Sequence, residues 1–128
     1  MIAGIGIDLV EIARVERLLE SKGERALRRL FTDSEIAYAQ GRARPAMHLA
    51  ARLAAKEAAF KALAGSDDAR LIGWREVEVV SQPNGPPSLA LHGRAESRAL
   101  ELGVQVVHLS MTHTDHTAGA VVVLVQRY

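Results

Sequence analysis

The segment from Pro45 to Ala64 constrains this chain more than any other. Ala46 to Ala64 is rich in Ala, Leu and Lys, all good helix formers, and Pro45 suits a first helical turn. Gly65-Ser66-Asp67-Asp68 ends the run, so the spacing predicts one long helix. At about 100° per residue, Leu49, Leu53, Phe60 and Leu63 form a single narrow apolar stripe that must pack on something else.

The flanking sequence supplies that partner. Residues 2–10 alternate as a strand, with Ile5, Ile7 and Leu9 on one face and Gly4, Gly6 and Asp8 on the other. From Glu11 the period becomes helical through Ile12, Val15, Leu18 and Leu19. Gly23 breaks this helix, and a basic helical piece follows at Arg25, Arg28 and Arg29. Thr32 and Glu35 stand at capping-box spacing before a short helix. Trp74–Val80 and Ser88–Leu91 read as strands around the turn Gln82-Pro83-Asn84-Gly85-Pro86-Pro87, and Arg94–Leu102 as a helix closed by Gly103. Strands near Val104–Met111 and Ala118–Val125 end the chain, and Val121–Val125 is read as a buried strand. The expected class is α+β, with antiparallel, largely hairpin-connected strands packed with one long and several short helices. The 128 residues fit one domain, 1–128, large enough to fold without a metal or disulfide staple.

Composition narrows the function. There is no cysteine, so thiolate chemistry is excluded. Sixteen basic against fifteen acidic residues argue against a globally basic nucleic-acid binder, and 4% aromatic residues against base-stacking platforms. No apolar stretch is long enough for a membrane helix, and Asp8 comes too early for a signal peptide, so a soluble, cytoplasmic protein is expected.

Charge is unevenly placed. Between Gly41 and Lys61 lie Arg42, Arg44, Arg52, Lys56 and Lys61 against Glu57 alone, a local charge of +4. Such a segment in a near-neutral protein suits a small anion, phosphate above all. Lys56 falls inside the apolar stripe and must snorkel out or meet an anion. Glu57 and Lys61, four apart, are neighbours that an ordinary surface pair also explains. A lone carboxylate among cations fits a divalent metal: Mg²⁺ takes one or two carboxylates and completes its shell with waters and phosphate oxygens. Asp8 is a candidate for the second carboxylate, although capping the helix from Glu11 would equally explain it. Gly4-Ile5-Gly6-Ile7-Asp8 is no dinucleotide fingerprint, because Leu9 stands where the third glycine belongs. Ser110 and His113 point to opposite faces of a strand and no nucleophile elbow is present, which argues against a Ser-His-Asp triad with Asp115. His113 and His116 read equally as metal ligands or polar turn residues. The basic and acidic residues of the first helices form either a solvated face or a docking face for an acidic protein.

These segments, in this order, resemble the holo-acyl-carrier-protein synthases, the small group of 4′-phosphopantetheinyl transferases. The matching stretches are Gly4-Ile5-Gly6-Ile7-Asp8 with Arg14, Phe31-Thr32-Asp33-Ser34-Glu35, the helix Arg52 to Ala62 with its Lys56-Glu57-Ala58 core and Lys61, and His108 to Asp115 leading into Ala118-Gly119-Ala120. The resemblance covers essentially the whole chain and implies the 4′-phosphopantetheinyl transferase fold. It implies that a carrier-protein serine attacks the pantetheine-side phosphate of coenzyme A and releases 3′,5′-ADP, in the service of fatty acid biosynthesis. Asp8 and Glu57 would bind Mg²⁺, or Mn²⁺ in its place, and with Lys61 form the catalytic set. Arg44 (or Arg42), Arg52, Lys56, Lys61, Gly65 and His113 would hold coenzyme A, with the arginines on its 3′-phosphate. Arg14, Arg17 and Arg25 would engage acyl carrier protein, and the family is a homotrimer with shared active sites. One departure is plain: Ala64-Gly65-Ser66-Asp67-Asp68 stands where relatives often carry Gly-Thr-Gly.

Overall fold

The computed structural model describes residues 1–126. The chain runs β1 (Ile2–Glu11), α1 (Ile12–Leu30), α2 (Asp33–Gln40), α3 (Pro45–Leu63), β2 (Val77–Gln82), β3 (Gly85–Leu91), α4 (Gly93–Glu101), β4 (Val104–His113) and β5 (Thr117–Gln126), with two short 3₁₀ turns between α3 and β2. The strands form an antiparallel three-stranded sheet ordered β1-β5-β4 and a separate β2-β3 hairpin. Helix α3 lies on one face of the larger sheet, chiefly over β1 and β5.

The two glycines of β1 make that packing close. A methyl group built on Gly6 would overlap the carbonyl oxygen of Ala58, and one on Gly4 that of Ala62. The space they leave is therefore taken by α3 itself, whose Ala54, Ala55, Ala58 and Ala59 are buried against the sheet. Gly6→Ala is expected to lower stability by about 2–3 kcal/mol, because a backbone carbonyl cannot swing aside as a side chain can. A urea titration checks this, and a loss below about 1 kcal/mol would contradict so close an approach.

Several expected boundaries shift for local reasons. Gly23 does interrupt α1 as expected, kinking it with φ 61° and ψ −141°, a conformation only glycine takes cheaply. Trp74–Glu76 is a 3₁₀ turn and not the start of a strand. The Glu76 carboxylate accepts hydrogen bonds from the backbone N–H groups of Gly73 at 2.7 Å and Arg94, which curls the chain before β2 begins. The capping box of α2 forms as the spacing predicts. Val121–Val125 is not buried throughout: Val122 and Leu124 face α3, while alternate residues are only half-buried. The other face of the sheet exposes Ile5, Ile7 and Leu9, by 63%, 63% and 70%. No helix among the described residues is long and apolar enough to cross a membrane.

Candidate active site

Strand alternation turns Asp8 toward α3, where two helical residues one turn apart meet it. Lys61 Nζ lies 2.9 Å from Asp8 Oδ1 and also donates to the Ile7 carbonyl at 3.0 Å. Glu57 faces Asp8 within hydrogen-bonding range and is touched from α1 by Arg14 Nη2 at 3.4 Å. Burial pushes the Glu57 carboxyl up, the bond to Asp8 and its charge push it further, and Arg14 opposes them; the result is about 7. Burial alone would raise Asp8, but its bonds to Glu57 and Lys61 and the Lys61 charge outweigh this and hold it low. The pair thus shares one proton near neutrality. With both carboxylates ionised, Asp8 Oδ2 is buried and has no donor. That orphaned oxygen beside a second carboxylate is a position a divalent cation fits, since it would stabilise both charges at once. The described residues offer no third His, Cys, Asp or Glu there, so a hard cation that relies on waters and phosphate oxygens is the type that suits.

A second cluster lies across α3. Arg52 and Lys61 are nine positions apart, which places them about 180° apart around the helix. Arg52 is 3% exposed, with Nη2 donating to Ser81 Oγ at 2.7 Å and Nη1 to the His48 carbonyl at 3.3 Å, while its Nε is buried without a partner. It borders a cavity of about 560 Å³ between α2, α3, the β2-β3 turn and the end of β4, which Arg42, His48 and His113 also line. Burial first, then the charges of Arg52, Arg42 and His113, hold His48 below its usual value. Two arginines converge on this cavity with no carboxylate among its lining residues, an arrangement that suits an anion. The two orphaned buried side-chain atoms among the described residues, Asp8 Oδ2 and Arg52 Nε, lie one on each flank of α3.

The structure brings Asp8, Glu57 and Lys61 together, and Arg52 with His113, but redistributes the other expected residues. Lys56 does not face a ligand. It is completely buried, paired with Glu35 Oε1 at 2.8 Å, and donates to the carbonyls of Trp74 and Val77 at 2.9 and 2.5 Å. Its assignment to coenzyme A is thereby corrected, because all three ammonium donors are spent inside the fold. Glu57 and Lys61 do not pair with each other, since both turn to Asp8. Arg44 points away from the anion cavity, donating to the Asp115 carbonyl at 3.2 Å and lying 3.8 Å from Glu16; Arg42 takes the place beside Arg52. Gly65, at φ 119°, lines a different cavity of about 740 Å³ past the end of α3 with Phe60 and Trp74. Arg17 and Arg14 border a groove along α1, and Arg25 continues it with Lys22 and Arg29, Trp74 lying at both. His116 serves the turn: its carbonyl accepts from Ile12 and its N–H donates to Thr114 Oγ1.

Three residues at these clusters carry little signal in the sequence: Glu35, Ser81 and Tyr38, which lines the cavity beside Arg52. Glu35 shows only its capping-box role there, because its partner Lys56 is distant in the chain. Ser81 carries no signal before the hairpin is placed. Tyr38 does leave a trace, standing four residues before Arg42, which lies just beyond the end of α2.

Residues 4–121 match the family model described as the 4′-phosphopantetheinyl transferase superfamily. The chain is 50% identical to a holo-[acyl-carrier-protein] synthase of Thermus thermophilus over 127 residues, 99% of this chain and 96% of that protein. Among solved structures, the holo-[acyl-carrier-protein] synthase of Neisseria meningitidis superposes with a TM-score of 0.85 at 30% identity, covering 98% of this chain and 100% of the other. The Bacillus anthracis holo-(acyl-carrier-protein) synthase, solved in complex with CoA (3′,5′-ADP), gives 0.78 at 32% identity with 99% of each chain covered.

Proposed function

The chain belongs to the 4′-phosphopantetheinyl transferase superfamily, and from that membership we propose that it is a holo-[acyl-carrier-protein] synthase. It transfers 4′-phosphopantetheine from coenzyme A to a serine of apo-acyl carrier protein. The serine oxygen forms a bond to the pantetheine-side phosphorus, the bond from that phosphorus to the bridging pyrophosphate oxygen breaks, and 3′,5′-ADP leaves with that oxygen. The observation that carries this reading is the Asp8–Glu57–Lys61 cluster: two carboxylates with an unsatisfied oxygen, beside an ammonium.

Asp8 and Glu57 are the residues that would hold Mg²⁺ or Mn²⁺, which when bound supplies charge neutralisation on the pyrophosphate. Lys61 can turn from Asp8 to the developing charge on the departing oxygen, for its side chain is more than half exposed. Gly65, four residues after Lys61 and just past the end of α3, would bring its loop to the same pyrophosphate. Arg52, Arg42 and His113 take the nucleotide end, where guanidinium forks match the 3′-phosphate. The groove of Arg14, Arg17 and Arg25 receives the acidic carrier protein. We place the reaction in the cytoplasm, upstream of fatty acid biosynthesis.

The division of the site by α3 supports a homotrimer. One coenzyme A molecule cannot readily wrap a helix to reach both flanks, whereas the carboxylate flank of one copy and the cation pocket of another can face each other. The exposed Ile5, Ile7 and Leu9 give those copies an apolar surface to bury. The test combines two readings of one sample. Apo-carrier incubated with the protein, coenzyme A and Mg²⁺ should gain the mass of one phosphopantetheinyl group, and sedimentation equilibrium should return three chains. No mass gain with any carrier tried would overturn the transferase reading; a monomer of full activity would overturn the shared site.

A further inference from the structure

The cation pocket holds two arginines close together, and among the described residues no carboxylate is paired with either. Neither Arg42 nor Arg52 has a carboxylate of these residues within salt-bridge distance; the charge of Arg42 acts against that of Arg52, and that of the more distant Glu35 favours it. What they share is Tyr38. The Cζ of Arg42 lies 4.3 Å from the centre of its ring, and the Cζ of Arg52 lies 4.1 Å from it. The His48 ring meets the same tyrosine edge-on, with centroids 5.6 Å apart and planes at 78°. Arg42 comes from the segment after α2, and Arg52 and His48 from α3, so one half-buried side chain of α2 gathers all three.

A ring does this differently from a carboxylate. Its negative face attracts a guanidinium without cancelling the charge, and a flat guanidinium lying over it keeps its edge N–H groups for another acceptor. Arg52 shows the consequence directly, being 3% exposed with a buried Nε that no protein atom accepts. A carboxylate at position 38 would fill the cations and silence the pocket for anions.

We propose that Tyr38 is the positioning residue of the phosphate pocket, holding Arg42 and Arg52 in place, still charged, for a phosphate monoester. The proposal rests on the transferase reading, which makes that monoester the 3′-phosphate of coenzyme A. Tyr38 touches no reacting atom, since the reacting phosphate belongs to the opposite flank of α3. It sets affinity and donor choice, not the rate of the chemical step.

The test compares coenzyme A with 3′-dephospho-coenzyme A as donor, using wild type, Tyr38→Phe and Tyr38→Leu with saturating apo-carrier. Wild type should show the lower KM for coenzyme A. Losing the ring in Tyr38→Leu should raise that KM about tenfold, leaving kcat and the KM for the dephospho donor within about twofold. Tyr38→Phe keeps the ring and should restore the wild-type preference. Should Tyr38→Leu melt below the assay temperature, Tyr38→Met carries the same comparison. A ring-less variant with unchanged KM for coenzyme A, or with both donors weakened equally, would overturn the proposal, the second result marking a structural residue only. A wild type indifferent to the 3′-phosphate would also overturn it, by removing the assigned ligand. Carrier modification in the same wild-type sample keeps that failure apart from failure of the transferase reading.

Discussion

Glu57→Gln is expected to lower kcat for phosphopantetheine transfer by about 10²–10³-fold, the size of effect that follows loss of one group stabilising transition-state charge. The change keeps the shape of the side chain and removes only its charge, which Asp8 alone cannot replace as a seat for a divalent cation. The same substitution should not harm the fold. Glu57 is pushed up to about 7 by burial and by Asp8, against an ordinary value of 4.5, so the folded protein binds its proton more tightly than the unfolded chain does. Ionising Glu57 therefore destabilises the metal-free protein as pH rises through this interval, and glutamine is spared that cost. The variant should melt above wild type at pH 8 in chelator, with the gap closing as pH falls toward 4.5. Wild-type turnover by the variant, or a lower melting temperature at pH 8, would contradict this account of the pair.

The second large effect belongs to Lys56, one residue away and of opposite character. Lys56→Met strands the Glu35 carboxylate in the interior, still bound to the N–H groups of Thr32 and Val79 at 2.8 Å each but without its cation. Breaking a buried pair from one side costs about 3–5 kcal/mol. Adding Glu35→Gln removes the stranded charge and should recover part of that loss, which denaturant titration of wild type, both single variants and the double variant would show. Because Lys56 spends its donors on Glu35, Trp74 and Val77, the folded variant should keep the wild-type KM for coenzyme A. A selective rise in that KM would return Lys56 to the ligand site.

The contrast between these neighbours marks what could be read from the sequence. Periodicity places β1, α3 and the capping box of α2 because those features are local. It also isolates Lys56 as a cation on an apolar face that needs an anion. It cannot name Glu35 as that anion, since the contact joins separate helices, and the ligand and the protein carboxylate satisfy the same rule. Asp8 and Glu57 were legible as a pair only through their residue types and the family resemblance; the geometry adds the missing donor at Asp8 Oδ2. Arg44 and Arg42 are equivalent in sequence, and only the path of the segment after α2 separates them, sending one to the Asp115 carbonyl and the other to the pocket. Gly4 and Gly6 share one face of β1 in the sequence, but only the structure shows that α3 approaches them there. Ile5, Ile7 and Leu9 alternate as a core face would, yet among the described residues they remain exposed, on the face of the sheet opposite α3.

The most direct measurement is the mass of apo-acyl carrier protein after incubation with coenzyme A, Mg²⁺ and either wild type or Glu57→Gln, with 3′,5′-ADP quantified in the same samples. Wild type should convert the carrier to its phosphopantetheinylated form and release one 3′,5′-ADP for each carrier modified, while the folded variant should do neither at a comparable rate. An unmodified carrier in the presence of folded wild type, or equal conversion by both proteins, would contradict the assignment of this site.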